Sequence, residues 1–470
     1  MKRLAIILIG FLLALHCPAA THYVVPPGTA GATATDPYTN WATAATNLID
    51  VVHCALTNTA PRVIWVTNGT YYPTNLIDVY DYSGASVTGL KLKSVNGRDG
   101  TILDGSHSTN KLIEFYWTAD YGEFNGFTVT NFSGLFGSAG IVHGGRITVI
   151  NCLFTGNSNL NNNGGAVCID LGGGTITNCI FRNNYAGAGG GGAIYESYHT
   201  GYKTLITQIT DCRFENNKAS SGGACWFYAY NHVISNCVFI NNRAVYDSGG
   251  LYFHPNGTNN LVANCTFTGN VASTYGGGMY ASSGQTTIRD CSIIGNITTN
   301  RGGGIYGTNM TIRNCLIARN SSVTNLGGGI WMSDGNIESC TIASNYAAVA
   351  GGGVYTSGTN GSGTNNIIYF NTAAAAANFT NTTGNTGLNY SCVIPAVNGT
   401  GNITNNPVLK DLAGGDYRLR MTSPCVNAGT NQSWMTNAVD LDGNVRIRYG
   451  IVDMGAYETR IWQGTIFKVP

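Results

Sequence analysis

Asp170 and Glu196 are the acidic residues of the repeated middle of this chain that fall near one another by repeat position. Each lies just past the same point of its repeat, on neighbouring repeats. Two carboxylates at such a separation are the equipment of a retaining glycosidase, one as nucleophile and one as acid/base. A long interval of 33 residues between repeats inserts the loop ESYHTGYK at this place and adds His199, Tyr202 and Lys203, with His254 two repeats on. Loops on rigid scaffolds carry function disproportionately; the other reading is ordinary polar decoration. Carboxylates are scarce, with eleven between residues 111 and 371. Of these, Asp211 and Asp290 stand where other repeats have Asn, and Glu338 is expected to pair with Arg313.

A second set of residues could bind rather than react. Tyr195, Trp226, Tyr252, Tyr280, Tyr306, Trp331 and Tyr355 each follow a glycine run and one aliphatic residue, with Cys168 holding the position one repeat earlier. Aromatic faces stack on the apolar faces of sugar rings while their polar edges stay wet. The competing reading is that the rings stack on one another and stabilise a sheet through same-face pairs. No Cys/His spacing resembles a zinc site, and no cofactor motif is present. The acidic residues Asp440, Asp442, Asp453 and Glu458 do not match calcium-loop spacing; with Arg446 and Arg448 close by, they read as a structural salt-bridge cluster. With 24 basic and 23 acidic residues, there is no electrostatic footprint for nucleic acid or an anionic membrane.

What must position these residues is the repeat itself. Asn264–Tyr280, NCTFTGNVASTYGGGMY, is rewritten as NCIFRNN with GGAIY, DCRFENN with GGACW, NCVFINN with GGLY, DCSIIGN with GGGIY, NCLIARN with GGGIW and SCTIASN with GGGVY. The reference position falls at Gly126, Cys152, Cys179, Cys212, Cys237, Cys265, Cys291, Cys315, Cys340 and Asn366, at intervals of 24 to 33 residues. Each unit offers three pieces of period two and no helical periodicity, which predicts three short strands per turn of a parallel β-helix. Its hand is right, by the rule for parallel crossovers. About ten coils at roughly 4.8 Å give a rod of roughly 50 Å.

The spacing also assigns directions. Cys and Phe, two apart, face inward, as do Val167, Ile194, Leu251, Met279, Ile305, Ile330 and Val354, and the aromatic after each aliphatic faces out. The recurring asparagines (Asn151, Asn178, Asn236, Asn264 and Asn314; then Asn157, Asn184, Asn217, Asn242, Asn270, Asn296, Asn320, Asn345 and Asn371) fall at bends, where an amide can donate to one coil and accept from the next. Eight cysteines share one inward column, as small buried hydrophobes or as disulfides, and side chains stacked in parallel favour the former. Cys392 and Cys425, near the C-terminal end, are the better disulfide candidates.

The division expected along the chain is 1–20 signal peptide, 21–110 entry cap and first strands, 111–371 β-helix core, 372–460 C-terminal cap and 461–470 tail. Lys2 and Arg3 precede an apolar run from Leu4 to Leu15, with Ala19 and Ala20 after it, the pattern of a secretory signal. The run is too short to span a bilayer, and no later segment could cross as a helix, so the mature chain is expected to be exported. Apolar residues at helical spacing between Trp41 and Leu56 (Ala44, Leu48, Val51, Val52, Ala55) predict one amphipathic helix in the entry cap.

The FxxN and GGA/I motifs, as in CIFRNN and GGGGAIY, resemble the repeats of the polymorphic outer-membrane-protein family. DYRLRMTSPCVNAG followed by DLDGNVRIRYGIVDMGAYE is similar to the C-terminal domain called choice-of-anchor Q, found at the end of bacterial secreted β-helix proteins. The resemblance implies an exported, surface-associated protein. In departure from those families, no autotransporter barrel follows the repeats, and twelve residues follow Glu458 without a visible anchor. The expectation is thus an all-β, right-handed parallel β-helix with a one-helix N-terminal cap and a β-rich C-terminal cap. Its expected function is non-enzymatic binding of glycan or a surface partner through the aromatic column. The alternative is a polysaccharide lyase or glycoside hydrolase using Asp170, Glu196 and His199.

Overall fold

The computed structural model describes residues 21–459, apart from 59–61, 81–87, 117–120, 135–138, 145, 171–172, 198–205, 229, 256, 283 and 384–386. The chain winds into a parallel β-solenoid of about twelve coils. One coil runs Ile147–Ile150, Leu153–Thr155, Ser158–Asn159 and Val167–Ile169, and these four strands define the first to fourth walls in that order. The walls contain 14, 13, 9 and 12 strands among the described residues, every neighbouring pair parallel. Two expectations change here. There are four walls, not three, because a two-residue strand follows each ladder asparagine and was too short to show a period. There are more than ten coils, because strands as early as Thr21–Val24 and as late as Cys392–Val393 already belong to the walls.

Register confirms the inward columns and adjusts one of them. Leu153 pairs with Thr128, so Phe127, not Gly126, occupies the place of Cys152. Phe154, Phe181, Phe214, Phe239 and Phe267 stack down the lumen with centroids 4.5 to 5.0 Å apart and rings within 10° of parallel. Beside them the eight column cysteines are buried free thiols. Each thiol donates to a backbone carbonyl, as Cys265 Sγ does to Ala263 O at 3.2 Å. That bond occupies the thiol within its own coil, so the small-hydrophobe reading stands.

Bends are set by residues that tolerate left-handed backbone. Asn151, Asn178, Asn236, Asn264 and Asn314 have φ between 51° and 56°, and Asp211 and Asp290 take the same conformation at 56° and 57°. The second asparagine column forms a continuous ladder inside the wall. Asn270 Nδ2 donates to Phe239 O and to Asn296 Oδ1, both at 2.9 Å, and its Oδ1 accepts from the Asn242 backbone N–H at 3.0 Å. The glycine triplet has a steric cause. At Gly302 φ is +70°, and a Cβ on Gly303 or Gly304 would lie 2.3 or 2.6 Å from a carbonyl oxygen of the next coil. Any side chain there would force the coils apart.

The ends close as the hydrophobic pattern requires. The helix Leu48–Leu56 buries Leu48, Val51, Val52 and Ala55, and Asn47 caps it through Ile49 N–H at 2.8 Å. Trp41–Thr43 forms a separate 3-10 turn. At the other end the chain folds back along the outside of the second wall. Leu316, Ala318, Ala343 and Ile367 are buried there against Leu409, Tyr417, Leu419, Cys425 and Met454. This cap has one antiparallel hairpin, Leu409–Asp411 with Asp416–Leu419, and otherwise turns. Arg446 is wholly buried, donating twice to Gly455 O at 3.1 Å, with its Nη1 3.3 Å from Glu458. Asp440 accepts backbone N–H groups of Asp442, Asn444 and Glu458. The expected cluster is therefore a structural knot, with two changes of membership: Asp442 holds Arg418 by two bonds of 2.6 and 2.7 Å, and Arg448 lies over the Tyr449 ring.

Candidate functional site

The aromatic column stands on the outside of the fourth wall in unbroken register, Tyr195, Trp226, Tyr252, Tyr280, Tyr306, Trp331 and Tyr355. Its rings do not offer a row of free faces. Tyr252 and Tyr280 stack at 4.6 Å, Tyr280 and Tyr306 at 5.2 Å, and Tyr306 and Trp331 at 4.4 Å. Tyr252 and Trp331 are only 7 % and 8 % exposed, and the other five are half-buried. Coils at β-sheet spacing bring flat rings into van der Waals contact, so self-stacking wins over exposure.

A second column lies against the first, built by the turn before each glycine run. Tyr275 stacks on Tyr306 at 4.4 Å, the Arg301 guanidinium lies 5.7 Å from the Trp331 ring centre, and Trp226 covers Gly190 so closely that a Cβ there would overlap its ring. Asp247 occupies the equivalent turn two coils before Arg301. Together the two columns form a largely buried aromatic ridge. Burial raises the tyrosine hydroxyls of Tyr195 and Tyr306 to about 12, so they remain neutral donors and acceptors. Four buried polar atoms on this ridge have no hydrogen-bond partner: Trp226 Nε1, Asp247 Oδ1, Arg301 Nε and Trp331 Nε1. Burial alone raises the Asp247 carboxyl to about 6.

On the far side of the ridge runs a polar rail, Asp170, Ser197, Tyr228 and His254, one residue beyond each fourth-wall strand. Ser197 Oγ lies 2.7 Å from Asp170 Oδ1, and His254 stacks on Tyr228 at 3.7 Å, where burial lowers its imidazole.

The structure does not bring Asp170 and Glu196 together. Glu196 is two residues after inward-facing Ile194, so the period of a strand turns it into the lumen, 5 % exposed. There its Oε2 meets His232 Nε2 at 2.6 Å, its Oε1 accepts from Thr207 at 2.9 Å, and His232 Nδ1 lies 2.9 Å from Asn260 Oδ1. A retaining pair on one face is thus corrected to one carboxylate outside and one inside. His199, with Tyr202 and Lys203, lies outside the described residues. Sequence reasoning missed Asp247 and Arg301 because the turns before the glycines vary in type; their constant offset from the triplet was the available signal.

A cavity of about 780 Å³ opens where the C-terminal cap meets the first two walls, beside Arg289, Arg313, Arg418 and Trp434. Its arginines are already engaged, by Asp290, Glu338 and Asp442 respectively. No group of three or more His, Cys, Asp or Glu among the described residues is placed to hold a metal ion. No helix among them is long and apolar enough to cross a membrane.

Among solved structures, the chain is similar to pectate lyase Pel9A, at 15 % identity over 94 % of this chain and 96 % of that one with a TM-score of 0.39. It is also similar to PfbA, a surface adhesin of Streptococcus pneumoniae, at 11 % identity, 70 % and 89 % coverage and a TM-score of 0.34. The A-module of the Azotobacter vinelandii mannuronan C-5 epimerase AlgE6 matches at 11 % identity, 76 % and 93 % coverage and a TM-score of 0.28. No curated protein matches. A family model described as right handed beta helix region matches residues 75–267, 115–317 and 198–373, together more than half of the sequence. The chain belongs to the right-handed β-helix family.

Proposed function

We propose that this is an exported or cell-surface β-helix protein that binds glycan, or a glycan-bearing partner, non-enzymatically along the ridge of the fourth wall. The observation that carries this reading is the set of unpartnered polar atoms of Trp226, Asp247, Arg301 and Trp331 on one aromatic face. A buried donor or acceptor left unmade costs about 1–3 kcal/mol, and folding of the solenoid gains nothing from leaving four of them there. A hydroxyl-rich ligand meeting the ring edges would satisfy them after small side-chain movements. Export rests on the basic, apolar and small-residue order from Lys2 to Ala20, and surface association on the resemblance of the repeats and C-terminal motif.

The test is a glycan-array screen of residues 21–470, with the triple variant Tyr280→Ala, Tyr306→Ala, Trp331→Ala as control. Binding by the parent and its loss in a folded triple variant is the expected result. Undiminished binding by the variant would remove the ridge from the proposal. The second reading, a polysaccharide lyase or glycoside hydrolase, is favoured by one observation, the Asp247 carboxyl held up to about 6 among the ridge tyrosines. It predicts release of reducing ends from the bound polysaccharide, abolished by Asp247→Asn.

A further inference from the structure

The thirteen cysteines among the described residues are all free thiols, and they differ in one respect. The eight column thiols lie parallel and bond to carbonyls of their own coils. Cys392 and Cys425 approach from different parts of the chain. Cys392 is in the last strand of the second wall, paired with Ile367. Cys425 is in the cap, whose Met454 N–H donates to Cys425 O at 3.0 Å while Gly455 sits directly on Ile367. Asn405 accepts from Cys392 Sγ at 3.1 Å, and Ser423 Oγ donates to Pro407 O at 2.5 Å, so the chain segments leading to both cysteines run together. Both residues are fully buried in the same small core between wall and cap.

We infer that Cys392 and Cys425 are a disulfide site that staples the C-terminal cap to the outside of the second wall. The oxidant is a disulfide of the thiol–disulfide exchange class, a protein oxidoreductase or oxidised glutathione. One cysteine thiolate attacks the oxidant, releasing one thiolate and leaving a mixed disulfide. The second cysteine thiolate attacks that sulfur, forms the Cys392–Cys425 bond and releases the second thiolate. Two thiols lose two protons and two electrons, and the oxidant is reduced to two thiols. The neighbouring Cys425 thiol, and then burial, raise the Cys392 thiol well above its ordinary value. Thiolate is therefore scarce in the docked state, and exchange belongs to the moments when the cap is undocked. The bond would close a loop of 33 residues (425 − 392), enough on the chain-entropy model to suppress cap opening about five hundredfold.

The experiment is refolding of the full chain with reduced and oxidised glutathione, then alkylation and tryptic mapping. Cleavage after Lys410, Arg418 and Arg420, with a second cut by chymotrypsin after Phe370 or Tyr390 to part Cys392 from column Cys340, leaves a Cys392 peptide joined to a Cys425 peptide only through the proposed bond. The expected product carries that link, resists limited proteolysis of the cap about five hundredfold better than the reduced protein, and loses the advantage on reduction. A Cys392→Ser, Cys425→Ser variant should not respond to reductant. Natively folded protein with both thiols alkylated, or with either cysteine joined to a column cysteine, overturns the inference. Should the variant fail to fold, peptide mapping and the reductant response of the parent decide alone.

Discussion

Glu196 and His232 meet inside the solenoid, carboxylate Oε2 to imidazole Nε2 at 2.6 Å, with neither side chain appreciably exposed. An ionic contact in the lumen of an otherwise apolar coil stack is tolerated because Thr207 and Asn260 complete its hydrogen bonding. Removing one partner of such a pair strands the other, at about 3–5 kcal/mol. Glu196→Ala should therefore lower stability by that order in urea unfolding, far more than Asp170→Ala on the rail outside.

The same pair sets a pH dependence. Burial pulls the His232 imidazole down, but the Glu196 carboxylate and the hydrogen bonds to Glu196 and Asn260 more than offset it, leaving it raised above its ordinary 6.5. A raised folded value means stability fully present below about pH 6.5 and lost as pH rises through the higher folded value. Thermal melts from pH 5 to 9 should show this decline, and His232→Gln should flatten it.

Asp247 works in the same direction for a different reason. Its carboxyl, at about 3.8 when free, is raised to about 6 by burial alone. The neutral form is favoured in the folded state, so the contribution is complete below about pH 4 and is lost as pH climbs through 6. Asp247→Asn should raise the melting temperature at pH 7 to 8 and leave it nearly unchanged at pH 4.

The ladder asparagines are held harder than the bend asparagines. Asn270→Ala leaves Phe239 O and the Asn242 N–H and amide without their partners inside the wall, a loss of about 2–4 kcal/mol at 1–3 kcal/mol for a stranded group. Asn264 supplies a left-handed bend at φ 53°, and Asn264→Gly should be nearly neutral. Denaturant unfolding of the two variants checks the contrast.

On the ridge, ring and indole N–H can be separated. Trp331→Phe keeps a ring against Tyr306 but deletes the unpartnered Nε1. Glycan affinity should fall about fivefold to tenfold, the weight of one hydrogen bond, with thermal stability little changed. Equal affinity in a titration would show that the indole N–H takes no part.

The repeat made most of the architecture legible. A Cys two residues from a Phe must share its side of a strand, and the glycine triplet announced close coil contact before any distance was known. What escaped depended on register or on contacts between distant segments. Glu196 was read as part of an inserted loop, when counting by two from Ile194 would have turned it inward. The self-stacking of the ridge follows from coil spacing, but the lean of Trp331 over Arg301 depends on a turn whose composition changes from coil to coil. Docking of the C-terminal cap left a trace in sequence, since the outward positions change from Arg213 and Glu215 to Leu316 and Ala318. That trace became readable only once the wall was known to be covered.

The ladder and the four walls share one more property. Asn270 bonds forward to Asn296 and back to Phe239, and the backbone bonds between neighbouring strands of each wall also run from coil to coil. Tension applied between the two ends of the rod therefore loads every inter-coil junction in series, and the weakest junction yields first. An extended protein of this build sheds coils one after another under load, each release adding some 25 residues of slack chain, as the repeat interval of 24 to 28 residues beyond Cys212 dictates. A rod so constructed lengthens stepwise before it parts.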